Sequence, residues 1–337
     1  MSQQPGRTGE PNKAGEFGLI AWIRQHAEPQ AQRSSHVVFG IGDDCAGLRF
    51  TPGREVLVTT DMLMDGRHFL TSQHTPEQIG RKAMAVNISD IAAMAGVPVA
   101  AVVAVALPKN LGKMSASELA HGLERGLESV AGQYGVALVG GDTNAWNGPL
   151  VINVTVLGET TDRGPVRRSG ARAGDWIFVT GPLGGSLESG RHLEPRPRVP
   201  EALALHECVP LRAMIDISDG LAGDLGHILE ESGHLGAVLE AAWIPIHEDA
   251  LMIARSSGRN PLDHALHDGE DFELCFTVTP EDGARLIAQP PAGLELFQVG
   301  VITAEPGLRI RTEDGRIAPL EARGFDHLRA AGAGADS

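Results

Sequence analysis

The chain has no Walker A lysine, no paired cysteines and very few aromatic side chains. Only 4% of its 337 residues are aromatic, with a single tyrosine, so stacking platforms for nucleic-acid bases are not expected. Cations are scarce as well: 28 Lys+Arg stand against 43 Asp+Glu, a formal charge of −15 at pH 7. Nucleic-acid binding needs a basic face, so this balance argues against it. Cys45, Cys208 and Cys275 form no Cys-x-x-Cys pair and are odd in number, which argues against a disulfide framework or a zinc site. The longest apolar run, Val97 to Leu107, is too short to span a bilayer and reads as a buried strand. Met1 to Ala14 is polar and lacks the apolar centre of a signal peptide. The expected setting is cytoplasmic, with neither nucleic acid nor membrane as partner.

What the chain does have is carboxylate. Seven aspartates fall in five short clusters: Gly40-Ile41-Gly42-Asp43-Asp44-Cys45-Ala46, Thr59-Thr60-Asp61, Asn87-Ile88-Ser89-Asp90, Gly140-Gly141-Asp142-Thr143 and Asp216-Ile217-Ser218-Asp219-Gly220. Aspartates interleaved with Gly, Ser and Thr make hard-oxygen sites suited to magnesium on a polyphosphate. An acidic protein that binds ATP must bring cations with it, and clustered carboxylates would repel one another without them.

The length suits two domains, because single cores rarely grow past roughly 250–300 residues. Val56 to Thr60 reads as a strand delivering Asp61 at its end. A helix follows, with Thr75 as N-cap, Pro76 at its first position, Gly96 as stop and Pro98 beyond. Asn87 and Asp90 share one face of it. Ser115 to Glu118 is a capping-box pattern opening a second helix that ends near Gly135. Strand patterns recur at Val136 to Val139, Val151 to Leu157, Asp175 to Thr180, Phe272 to Val278 and Leu296 to Ile302. Gly158 to Gly174 is the domain junction, giving domains over 14–158 and 159–330. Ser218 is a candidate cap for a helix running to about Gly233.

Each cluster has an ordinary explanation beside the functional one. Asp43-Asp44 could close a plain turn, Asp90 could lie on a solvated helix face, and Gly140-Gly141 could be a bend. Gly181 to Gly185 lacks the spacing of a phosphate loop and reads as a turn. Arg167-Arg168 is a compact basic pair suited to phosphate. Asp216 and Asp219, three apart at an expected helix start, are hardest to explain by capping alone.

In this order and at these separations the motifs resemble the thiamine-monophosphate kinase family. The resemblance runs from Gly15-Glu16-Phe17 to Gly324-Phe325-Asp326-His327 and includes Ala85 to Met94, Arg168-Ser169-Gly170 and Gly269-Glu270-Asp271-Phe272-Glu273-Leu274. It implies an α+β fold of two α/β domains like aminoimidazole-ribonucleotide synthetase, with the first domain dimerising through its sheet into a barrel. It implies transfer of the γ-phosphoryl group of ATP to thiamine monophosphate, assisted by several magnesium ions. Asp44, Thr59, Thr60, Asp61, Asp90, Asp142, Asp216 and Asp219 would hold metal. Gly141, Asp142, Arg168 and Ser218 would contact ATP, and His68, Glu270 and Phe325 the thiamine substrate.

No catalytic base is expected, because the acceptor is a phosphate monoester whose second pKa, about 6, leaves it largely ionised at neutral pH. Within the same fold, selenophosphate synthetase would need a reactive Cys or selenocysteine near the start, and none precedes Cys45. A hydrogenase-maturation relative would end in a functional cysteine, whereas this chain ends Ala335-Asp336-Ser337. Aminoimidazole-ribonucleotide synthetase itself is opposed by the Gly-Asp-Asp-Cys-Ala and Gly-Glu-Asp-Phe-Glu-Leu pair. Outside that fold remain a magnesium-dependent phosphohydrolase and a non-catalytic metal-binding scaffold.

Overall fold

The computed structural model describes residues 34–112 and 114–321. Phe325 and both chain ends lie outside them. Two mixed sheets organise the chain. The first half contributes β1 (Val37–Phe39), β2 (Gly47–Leu48), β3 (Val56–Met64), α1 (Pro76–Ala93), β4 (Val97–Pro108), α2 (Ala116–Gln133), β5 (Ala137–Trp146) and β6 (Val151–Glu159). Four of its strands form a sheet in the order β3-β6-β4-β5, with β4 and β5 parallel and joined through α2. Residues 160–175 carry no helix or strand.

The second half continues with β7 (Trp176–Val179), α3 (Ser186–Ser189), α4 (Val199–Cys208), β8 (Ala213–Asp216), α5 (Leu221–Glu231), β9 (Gly236–Glu240), α6 (Glu248–Ser257), α7 (Pro261–His267), β10 (Leu274–Val278), α8 (Pro280–Ala288), β11 (Phe297–Thr303), β12 (Gly307–Arg311) and β13 (Ile317–Pro319). Its seven-stranded sheet runs β13-β12-β9-β11-β7-β10-β8, antiparallel except where β12 joins β9. The fold is α+β, as the motifs imply.

The two long helices start where their caps dictate. Thr75 and Gln78 form a reciprocal capping box, as do Ser115 and Glu118, so two orphan N–H groups are satisfied at each start. The helices then cross at van der Waals contact through glycine. A Cβ at Gly80 would lie 2.1 Å from the Leu123 carbonyl oxygen, and one at Gly126 would lie 2.1 Å from that of Glu77. α1 also packs on β3 and β6 and, across the chain, on α4 and β8. It is the partition between the halves, so polar side chains on it are forced into the interior.

β3 alternates strictly. Leu57 and Leu63 are buried, while Val56, Val58, Met62 and Met64 are exposed, Val58 at 65%. One face of the first sheet therefore covers the helices and the other presents apolar side chains to solvent. The four strands of one chain do not close into a barrel, and β3 and β5 are the sheet's two edges.

Three local expectations change. β3 continues past Asp61 to Met64, and β5 runs through Gly140 to Trp146, so Asp142 sits within a strand. The helix after Asp216 begins at Leu221, with Gly220 as its N-cap at φ 101° and no side-chain cap. Ser218 is not the cap. The Asp224 carboxylate instead accepts from the Ser218 and Asp219 N–H groups, at 3.0 and 2.9 Å.

Candidate active site

Three elements meet at α1 and deliver carboxylates to one another. On β3, Thr59 donates from Oγ1 to Asp90 Oδ2 at 2.5 Å. The Asp61 N–H donates to Asn87 Oδ1 at 2.9 Å, and Asn87 in turn donates from Nδ2 to the Ala83 carbonyl. One helical turn of α1 therefore fixes both the backbone of β3 and the Asp90 side chain. From the second half, Asp216 at the end of β8 accepts from Ser89 Oγ at 2.6 Å. Asn87, Ser89 and Asp216 are buried.

The electrostatics of this group are those of carboxylates crowded out of water. Burial, then the neighbouring Asp90 and Glu270 charges, pushes Asp61 up to about 6. Burial, with Asp90 and Asp61 nearby, pushes Asp216 up to about 7. Burial raises Asp90 too, against the Thr59 hydrogen bond and the positive charge of Arg168, which places that arginine beside the cluster. Every oxygen donor here is a hard ligand. Divalent cations would relieve the repulsion, so the residues fit magnesium.

The loop after β8 extends the acidic surface. Oxygen or nitrogen atoms of Asp219, Asp224 and His227 come within 4.8 Å of one another. Burial, with Asp216 close by, holds Asp224 well above the ordinary carboxylate range.

Not all of the metal set converges within one chain. The Thr60 hydroxyl belongs to the exposed face of β3 and meets Thr155 Oγ1 at 2.9 Å, away from Asp61. Asp142 lies on β5, three strand positions from β3 and hence roughly 14 Å across the sheet. Asp44, Gly141 and Asp142 instead line a separate cavity of about 670 Å³, walled by Val103, Leu123, Leu127 and Leu138.

The same cavity holds Glu124 of α2, only 5% exposed, whose two carboxyl oxygens have no hydrogen-bond partner among the described residues. Burial, then the Glu128 charge, raises it to about 8. An acid with a raised folded-state pKa keeps its full stability at low pH and loses it as pH climbs from the unfolded value towards the folded one. Glu124→Gln should therefore melt above the wild type at about pH 8.5, with the gap shrinking to near zero at about pH 4.5. Thermal unfolding across that window measures it.

The expected substrate residues approach from opposite halves. His68 follows β3, its Nδ1 accepting from the Met64 N–H at 3.0 Å. Glu270 sits on the loop before β10 with φ 58°, and its N–H donates to the Ser218 carbonyl at 2.8 Å. Between them lies Lys82 of α1, whose Nζ is 2.8 Å from Glu270 Oε2 and 2.9 Å from the His68 carbonyl oxygen.

Sequence reading missed Lys82, Asn87's grip on β3 and the part played by Asp224. The signal for Lys82 was a cation, next to Arg81, opening directly onto the apolar run Ala83 to Val86 of a helix whose Asn87, Ser89 and Asp90 were already suspect. Asp224 lies one turn into a helix that was expected to start earlier.

Residues 42–160 match the family model described as AIR synthase related protein, N-terminal domain. Thiamine-monophosphate kinase of Rhodopirellula baltica is 40% identical, over 93% of this chain and 97% of the relative. The crystal structure of thiamine-monophosphate kinase from Stenotrophomonas maltophilia K279a superposes with TM-score 0.74 at 32% identity, covering 90% of this chain and 98% of that one. The AaThiL complex with AMPPCP and TMP superposes with TM-score 0.71 at 30% identity, covering 96% of this chain and 100% of that one.

Proposed function

The chain belongs to the thiamine-monophosphate kinase family, and from that membership we propose that it transfers the γ-phosphoryl group of ATP to thiamine monophosphate, giving thiamine diphosphate. The observation that carries the reading is the meeting of half-buried Asp61 and Asp90 with buried Asp216, from both halves of the chain, where Thr59 and Ser89 hold the Asp90 and Asp216 carboxylates and Asn87 holds the Asp61 backbone. Such a group is costly to bury without cations and well matched to polyphosphate with them. The AaThiL relative, solved with an ATP analogue and TMP, supports the same pair of reactants.

Asp44, Thr59, Thr60, Asp61, Asp90, Asp142, Asp216 and Asp219 would hold the magnesium ions, Thr60 from the exposed face of β3. Magnesium, when bound, supplies charge screening between two polyanions and alignment for an in-line displacement. The chain's own residues do the remaining work. Arg168, beside Asp90, and Ser218, whose N–H is already committed to Asp224, would orient the triphosphate together with Gly141 and Asp142. His68 and Glu270 would seat the thiamine moiety, with Phe325 outside the described residues. The acceptor phosphate needs no base, so no side chain has to move a proton.

A homodimer belongs to this reading. Val56, Val58, Met62 and Met64 form an exposed apolar stripe of the kind that marks an association surface. A two-fold axis along the closed barrel would set the β5 edge of one copy beside the β3 edge of the other. That brings one copy's Asp142 to the edge carrying the other's Asp61, which the single chain keeps apart. The domains would divide at 158/159, and the setting would be cytoplasmic; among the described residues no helix is long and apolar enough to cross a membrane.

The test is incubation of the purified protein with ATP, magnesium and thiamine monophosphate. Thiamine diphosphate formed in step with ADP supports the kinase. ATP hydrolysis that ignores the acceptor would point to a phosphohydrolase, and magnesium binding without turnover to a scaffold.

A further inference from the structure

Lys82 is 1% exposed, in the middle of a helix whose neighbours Ala83, Met84, Ala85 and Val86 are buried apolar residues. Burying an ammonium is expensive unless its partners are well placed. Here both partners belong to the acceptor side of the site: the Glu270 carboxylate at 2.8 Å and the His68 main-chain oxygen at 2.9 Å. One comes from the second half of the chain and the other from the first, and α1 stands between them.

Arg191 and Arg198 line the far wall beside Glu270 but are paired with Asp249 and Asp271 and with Glu201 and Glu273, so Lys82 is the cation that Glu270 itself meets at 2.8 Å. Burial and the Lys82 charge keep His74 and His192 less basic than usual, His192 at about 4, so both rings are neutral near pH 7. The two rings stand edge to face at 5.9 Å. Glu270 itself is held in the left-handed region at φ 58°, a conformation that persists only where its surroundings enforce it. Its N–H on the Ser218 carbonyl and its carboxylate on Lys82 are among the contacts that do so.

We propose that Lys82 is the positioning residue of the acceptor site: its ammonium ties Glu270 to the His68 turn and so sets the gap into which the thiamine moiety fits. The inference rests on the kinase reading above. Lys82 does not touch the reacting atoms; it acts through Glu270 and His68. Its loss should therefore weaken binding of the acceptor and spare binding of ATP.

The experiment uses full-length protein carrying Lys82→Met, Glu270→Gln or both, with steady-state kinetics in each substrate. Lys82→Met should raise KM for thiamine monophosphate at least about tenfold while KM for ATP stays within about twofold. In the Glu270→Gln background the same change should add less than about twofold, because the two residues act as one unit. If Lys82→Met alone fails to fold, the double variant, which strands no buried charge, is compared with Glu270→Gln directly. An unchanged acceptor KM in folded Lys82→Met, equal losses for both substrates, or effects that multiply in the double variant would each overturn the assignment. Wild-type turnover of thiamine monophosphate beside any of those results removes this inference alone; absent wild-type turnover removes the kinase reading and this inference with it.

Discussion

Asp61→Asn should lower the rate of thiamine diphosphate formation by at least about a hundredfold, since it removes a charged ligand aimed at the transferring group. The same variant should not be less stable. Its N–H still reaches Asn87, and the loss of one charge relieves Asp90 and Glu270 of a neighbour. Asp61 is raised from an ordinary 3.8 to about 6, so its ionised form costs stability that is fully lost only above the higher value. Without divalent cations at about pH 7.5, the variant should melt at or above the wild-type temperature. A variant that lost activity and unfolded early would mean that Asp61 is structural.

The second large effect is a recovery. Asp61→Asn and Asp142→Asn, each nearly inactive alone, should regain activity when co-expressed or mixed under subunit exchange. The reason lies in the strand order: β3 and β5 are opposite edges of the sheet, so one chain cannot join Asp61 to Asp142. If a second copy's β5 lies along β3, each heterodimer holds one intact site and one carrying both substitutions. Random pairing then gives about a quarter of wild-type activity. No recovery in a preparation shown to contain heterodimers would mean that each site is built from one chain, and that Asp142 serves only its own cavity.

Much of this was legible in the sequence because it is locally encoded. The starts of α1 and α2 follow from Thr75 and Ser115 with their partners three residues on, and β4 follows from its apolar run. The alternation of Val56 to Met64 also reads directly once the strand is known, although its far end was cut short at Asp61. Periodicity cannot say which of two adjacent threonines faces inward until the neighbouring helix is placed, and so Thr59 and Thr60 looked equivalent. The buried pairs depend on contacts far apart in sequence: Ser89 with Asp216, Lys82 with Glu270. No local pattern marks them. The glycines mislead in a similar way. Gly141 suggested room for a ligand, whereas a Cβ there would lie 2.1 Å from the Val103 carbonyl oxygen of the adjacent strand. Its smallness is required by the β4–β5 contact, whatever it also touches.

The most direct measurement is anomalous scattering from crystals grown with Mn2+, a non-hydrolysable ATP analogue and thiamine monophosphate. Manganese takes the oxygen ligands that magnesium takes and marks its own position. Anomalous peaks are expected in direct contact with carboxylate oxygens of Asp61, Asp90 and Asp216. Both reactants bound with no peak beside those three side chains would contradict the metal assignment.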